Sequence, residues 1–151
     1  MGSKSSHKAQ RKAIRSMQWD AQIERSREIY YQTLSRLARN RQDRRAFATF
    51  AQLEGTNARA IRFEIHKAGA TVRPNPVLNY LGFVAGATAP LVPRRLFLST
   101  GERVLAGGPA YWNGRRRVYG TARGRLIKRI LEHNDVQRDW FADQLAACRR
   151  R

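Results

Sequence analysis

Residues 19–39 read WDAQIERSREIYYQTLSRLAR, and apolar side chains recur along this stretch at steps of three and four residues. Arg and Glu side chains separate them, so one face of the segment is apolar and the other is charged. That pattern is typical of an amphipathic helix that packs against a core. It predicts a first helix over residues 19–39, whose apolar positions are Trp19, Ile23, Ile29, Tyr30, Leu34 and Leu37.

The same spacing recurs in a second long segment. It predicts a helix over 43–68, with Asp43 as the N-cap and Gly69 as the residue that ends it. Asp43 is suited to the first position because its carboxylate accepts hydrogen bonds from free backbone N–H groups. Gly69 is suited to the last because glycine readily adopts the left-handed conformation.

Further helices are predicted toward the end of the chain, a short one over 94–105 and a last one over 125–147. Between them the stretch 107–114, GGPAYWNG, is rich in residues that favour turns and is predicted to be a turn. No segment shows the alternating pattern of a strand. The predicted fold class is therefore all-α, a ferritin-like or irregular helical bundle.

Residues 74–93 contain no charged side chain, although 27% of the chain is charged. Prolines at both ends leave residues 77–89 for regular helix, and a membrane-spanning helix needs about 20 apolar residues. The stretch therefore favours a tightly packed core helix over a membrane hairpin. Its small residues share one face, which allows close helix contact; they are Gly82, Ala85, Gly86 and Ala89.

The charge of the chain limits the classes of function that the protein can have. Thirty Lys and Arg residues against eleven Asp and Glu residues give a formal net charge of +19 in 151 residues. An excess of this size opposes compaction unless a polyanion neutralises it, which disfavours a free metabolic enzyme. Arginine binds phosphate through a planar fork and stacks on bases, so an arginine-rich chain favours RNA as the partner.

The chain divides into a basic arm (1–18), a helical domain (19–147) and a basic tail (148–151). The arm contains no acidic residue, which is typical either of a mitochondrial targeting segment or of an arm that binds a polyanion. The single cysteine, Cys148, excludes an intramolecular disulfide.

Basic residues cluster in the arm, in the first interhelical turn, at 94–95, in 115–129 and in the tail. Three aromatic residues, Tyr111, Trp112 and Tyr119, lie close in sequence to the fourth cluster. Aromatic rings beside arginine suit stacking on exposed RNA bases. The predicted RNA-binding residues are Lys8, Arg11, Lys12, Arg15, Arg44, Arg45, Arg94, Arg95, Trp112, Arg115, Arg116, Arg117, Arg123, Arg125, Lys128, Arg129, Arg149, Arg150 and Arg151.

The order of several segments resembles the demethoxyubiquinone hydroxylases, a ferritin-like di-iron family of mitochondria and bacteria. The resemblance covers residues 19–145. It rests on Glu28-Ile29-Tyr30, the segment around Glu54, Val72-Arg73-Pro74, the run from Leu81 to Ala87, and Leu131-Glu132-His133-Asn134-Asp135.

The resemblance implies six metal-ligand positions, of which this chain keeps about half. Glu54, Glu102 and His133 match, whereas Asn57 stands where the family has histidine and Ile130 where it has glutamate. The first glutamate falls at Ile23, with Glu24 one residue away. Two iron ions are not held by such a remnant, so we expect no metal, no other cofactor and no catalysis, with Ile23 and Ile130 filling the vacated space.

These observations predict a non-catalytic structural component of a large ribonucleoprotein that binds RNA and neighbouring proteins. A mitochondrial ribosome in the matrix, with ribosomal RNA as the ligand, agrees best with the resemblance and the basic arm. One alternative is a membrane-associated demethoxyubiquinone hydroxylase-like enzyme. Another is an accessory subunit of a mitochondrial respiratory complex, with residues 74–93 against lipid or protein.

Overall fold

The computed structural model describes residues 2–120 and 123–150, with side chains from His7 onward. Within these residues the regular structure is helical and contains no strand, which confirms the all-α class. The helices are α1 (Gly2–Leu37), α2 (Arg41–Lys67), α3 (Pro76–Thr88), α4 (Arg94–Ala106), α5 (Gly108–Tyr119) and α6 (Gly124–Arg149), with a 3₁₀ turn at Ala89–Leu91.

The boundaries of the long helices differ from the predicted ones at their starts. Residues 2–18 of the basic arm belong to α1, because the Ala, Lys, Arg and Gln residues there are good helix formers. The N-cap of α2 is Asn40, whose side chain accepts a 2.7 Å hydrogen bond from the backbone N–H of Asp43. Asp43 lies in the first turn, so the predicted cap was wrong. Gly69 follows the helix end with φ +74°, as predicted.

The turn predicted at 107–114 is helix α5 instead. Pro109 lies in the first turn of α5, where its missing N–H leaves no intrahelical bond unmade. Gly108 serves close packing, because a Cβ there would lie 2.6 Å from Nδ2 of Asn134 on α6. The glycine and proline that suggested a turn therefore begin a helix.

Two apolar cores fill the bundle, one toward each end. The Phe47 core joins the end of α1 and the start of α2 to α4 and the end of α6; it contains Tyr31, Leu34, Phe47, Phe50, Ala51, Ala89, Leu98, Leu105, Phe141 and Leu145. The Ile61 core joins the middle of α1 and the end of α2 to α5 and the start of α6; it contains Met17, Ala21, Ile61, Ile65, Trp112, Tyr119, Ile127 and Ile130.

Helix α3 packs against α1 and leaves its outer face exposed, so the predicted core helix was wrong in this respect. Gly82 and Gly86 bring the two backbones together, since a Cβ at Gly82 would lie 2.4 Å from the backbone oxygen of Ser26. Ala85 of the predicted small-residue face is exposed. Helices α2 and α5 also contact α1, and the exposed side chains of α3 include Val77, Tyr80, Leu81 and Phe83.

No helix among the described residues combines the length and the apolar character that crossing a membrane requires.

We expect Gly82→Ala to lower the free energy of unfolding by about 1–3 kcal/mol, because the added methyl group forces α3 away from α1. Gly114→Ala is the matched control, since no atom lies within 4 Å of its Cβ position. There the better helix propensity of alanine should raise stability by up to about 1 kcal/mol. Urea denaturation measures both changes, and equal effects would contradict the close packing of α3.

Candidate functional site

A layer of polar side chains, four of them buried and two half-buried, separates the two cores. It comprises Glu24 and Arg27 of α1, Glu54 and Asn57 of α2, and His133 and Gln137 of α6, and is called the central polar layer below. Glu24, Glu54, Asn57 and Gln137 are each at most 2% exposed. Buried polar groups of this kind are tolerated only when they are hydrogen-bonded to one another.

The guanidinium of Arg27 lies between two carboxyl groups from different helices. Its Nη2 is 2.8 Å from Oε1 of Glu54, and its Nη1 is 3.3 Å from Oε1 of Glu24. Gln137 donates a 2.6 Å hydrogen bond from Nε2 to the same Glu54 oxygen. Arg27 is therefore the internal counterion of the layer, and it links α1 to α2 while Gln137 adds α6.

Asn57 connects the layer to His133. The imidazole Nδ1 of His133 is 2.7 Å from Oδ1 of Asn57, and Nδ2 of Asn57 donates a 2.9 Å hydrogen bond to Oε2 of Glu24. Burial lowers the pKa of His133, and the nearby Arg129 lowers it further. A neutral ring that carries its proton on Nδ1 fits this arrangement, because Asn57 Oδ1 is an acceptor.

The layer has two carboxyl groups for one guanidinium, and Glu24 accommodates the difference. Burial raises the pKa of Glu24 well above its ordinary value of 4.5, and the adjacent Glu54 carboxylate raises it further. Oε2 of Glu54 has no donor among the described groups, which leaves it free to accept a proton held on Glu24. With that proton the two carboxyl groups and Arg27 together are electrically neutral.

The residues of the layer do not fit the two iron ions that the resemblance implies. Arg27 places a positive charge between the carboxyl groups that would have to hold the metal. Asn57 occupies a ligand position, and Glu102 is half-buried on α4 without an ion pair to the layer. Among the described residues, no three His, Cys, Asp or Glu side chains are grouped so that they could hold a metal ion.

The two isoleucines that were expected to fill the site differ in position. Ile130 is 1% exposed in the Ile61 core, as predicted. Ile23 is only half-buried and lies outside both cores, and Glu24 takes the interior position instead. A one-residue shift rotates a side chain by about 100° around a helix, which accounts for the difference.

Another buried acid, Asp20, organises the contact between α1 and α5. Asp20 is 1% exposed and accepts hydrogen bonds from the hydroxyls of Tyr111 and Tyr119 and from Nη2 of Arg115. Arg115 also donates a 2.6 Å hydrogen bond to Oγ of Ser16. Burial raises the pKa of Asp20, while these donors and the Arg115 charge oppose the rise.

The structure divides the predicted RNA-binding residues into exposed and internally bonded groups. Arg94 pairs with Asp43, Arg115 with Asp20 and Arg123 with Glu64, so these three have structural partners. The exposed group comprises Lys8, Arg11, Lys12, Arg15, Arg44, Arg45, Arg95, Arg116, Arg117, Arg125, Lys128, Arg129, Arg149 and Arg150. Within this group Lys128 has an exposed ion pair with Glu132, 3.8 Å from Nζ to Oε1.

Two of the predicted residues fall outside this division. Trp112 is 3% exposed in the Ile61 core, so its ring has no face available for stacking on a base. Arg151 lies outside the described residues.

Most of the exposed cations gather at one end of the bundle, called the basic end below. It is formed by the start of α1, the second half of α2, the end of α5 and the start of α6, which the Ile61 core holds together. Its predicted cations are Lys8, Arg11, Lys12, Arg15, Arg116, Arg117, Arg125, Lys128 and Arg129. Arg44, Arg45, Arg95, Arg149 and Arg150 lie toward the Phe47 core.

The second half of α2 contributes further cations that the sequence analysis missed. Arg59, His66 and Lys67 are exposed and Arg62 is half-buried, and all four belong to the basic end. The spacing 59, 62, 66, 67 was a usable signal, since residues three and four apart share a helix face.

No family model, curated protein or solved structure matches the chain. The relationship to demethoxyubiquinone hydroxylases therefore stays a prediction from the sequence.

We expect Arg27→Met to lower the free energy of unfolding by about 3–5 kcal/mol, because it leaves the buried Glu54 without a counterion. Arg25→Met is the matched control on the same helix. Arg25 also pairs with a glutamate, Glu28, but that carboxylate is 12% exposed whereas Glu54 is 0% exposed, so the loss should be at most about 1 kcal/mol. Equal losses in chemical denaturation would show that Arg27 is not the internal counterion.

Proposed function

We propose that the protein is a non-catalytic RNA-binding component of a large ribonucleoprotein, and that it binds RNA through its basic end. The observation that carries this proposal is the start of α1. Lys8, Arg11, Lys12 and Arg15 are exposed at steps of three and four residues, so they share one helix face. The first 19 residues contain no acidic side chain to neutralise them.

The ion pairs within the chain support the same proposal. Among the residues whose side chains the structure describes, they engage nine of the eleven acidic residues, all except Glu102 and Asp143. Nearly all of the negative charge is thereby committed, and most of the thirty Lys and Arg residues have no acid left to pair with. Phosphate groups of RNA would supply the missing negative charge, and release of their counterions would favour binding.

The resemblance supports a mitochondrial setting for this proposal, with the mitochondrial ribosome first among the possible assemblies and ribosomal RNA as the ligand. The alternative of a hydroxylase-like enzyme is disfavoured by the side chains at the implied metal site. Asn57 and Ile130 stand at positions where the resemblance implies metal ligands. Arg27 places its positive charge between the two carboxyl groups that would have to hold the metal.

A second candidate function rests on the exposed apolar face of α3. Val77, Tyr80, Leu81 and Phe83 face solvent from a stretch without charge, which suits contact with a protein or with lipid. An accessory subunit of a respiratory complex would use such a face. Co-sedimentation with a large particle that survives ribonuclease and high salt would favour this candidate over RNA binding.

We expect the logarithm of RNA affinity to fall with the logarithm of salt concentration at a slope of roughly −6, if about eight phosphates are neutralised. Changing Arg11, Lys12 and Arg15 together to Gln should flatten the slope by about two units, at about 0.7 per lost phosphate contact. Fluorescence anisotropy with a single-stranded RNA measures the slope.

The matched control removes three exposed arginines from elsewhere on the molecule. Arg39, Arg41 and Arg103 changed to Gln lower the net charge by the same amount, and all three are exposed outside the basic end. This variant should keep the wild-type slope to within about one unit. Equal flattening in both triple variants would show that binding is not localised to the basic end.

A further inference from the structure

Phe63 is an exposed aromatic residue in a strongly basic surface. It lies on α2 with 63% of its surface exposed. Arg59 precedes it by four residues, and His66 and Lys67 follow it by three and four. These positions share its helix face, and Nζ of Lys67 lies 5.5 Å from the centre of the ring.

The exposed ring contributes little to the packing of the bundle, since Phe63 belongs to neither core. Its surroundings distinguish it from the exposed apolar residues of α3, which come from a stretch without charge. An aromatic ring between cations is the combination that binds single-stranded nucleic acid: the ring stacks on a base while the cations contact the backbone phosphates.

This surface is continuous with the basic end. Glu64, next to Phe63, accepts hydrogen bonds from Lys67 Nζ at 3.1 Å and from Arg123 Nε at 3.0 Å. The Arg123 bond fixes the start of α6 beside the second half of α2. One RNA strand could therefore contact the cations of α6 and the Phe63 ring on the same continuous surface.

We propose that Phe63 is a stacking platform for an unpaired base of single-stranded RNA, with Arg59, His66 and Lys67 contacting the flanking phosphates. This proposal rests on the proposed function, RNA binding by the basic end. It adds that the ligand presents unpaired bases there, so that duplex RNA does not satisfy the site.

The test compares an oligouridylate with an abasic strand of the same length and phosphate number, using anisotropy at fixed salt. Wild-type protein should prefer the oligouridylate, and Phe63→Ala should weaken its binding by about 5- to 140-fold, the range expected for loss of one stacked base. Phe63→Ala should bind the abasic strand as wild type does. Phe63→Trp should retain the preference, because indole also stacks.

Phe83→Ala is the matched control, because Phe83 is 51% exposed on a helix without charge. It should bind both strands as wild type does. The platform is overturned if Phe63→Ala and Phe83→Ala bind the oligouridylate equally well, or if wild type does not distinguish the two strands. Salt-dependent binding that persists in that case leaves RNA binding by the basic end standing, whereas no binding to any RNA overturns both proposals.

Discussion

The ion pair of Arg27 with Glu54, together with the contact of Arg27 with the Glu24 carboxyl group, is the interaction on which the rest of the bundle depends. A buried carboxylate without a counterion is strongly destabilising, so α1 and α2 must align where the guanidinium reaches both acids. Gln137 brings α6 to the same level through its hydrogen bond to Glu54. The Phe47 and Ile61 cores lie on either side of this layer, whose polar groups can pair only when the helices have this one alignment.

Arginine has two different roles in this chain, one in the interior and one at the surface. Inside, Arg27 and Arg115 neutralise buried acids and hold helices together. Outside, the arginines of the basic end face solvent with few acids near them. Because the interior neutralises itself, the excess of positive charge is carried by the surface, where it opposes self-association and favours a polyanionic partner.

The sequence was sufficient to predict those helices in which apolar residues recur over a long segment. It also predicted the end of α2 at Gly69. It was insufficient where the outcome depends on a distant partner. Arg115 and Asp20 are 95 residues apart, so a local pattern of basic residues could not separate a structural arginine from an exposed one. Trp112 was misassigned for the same reason, because its burial depends on α1 and α6.

Other differences come from geometry that a pattern of residue types does not contain. Helix α3 has the composition of a core helix, yet its glycines bring it against α1 alone. At the central polar layer the resemblance indicated Ile23, whereas the interior position belongs to Glu24, one residue and about 100° further around the helix. The pairing of acids with Arg27 follows from that rotation and was not predicted.

The most direct test of the account is the free energy of unfolding of wild type and Glu24→Gln across pH. Because burial raises the pKa of Glu24 above 4.5, the folded protein holds a proton that the unfolded chain releases at lower pH. Wild-type stability should therefore fall, relative to Glu24→Gln, as pH rises from 4.5 through the folded-state pKa. A difference between the two proteins that stays constant or reverses over this range would contradict a neutral central layer built on one proton and Arg27.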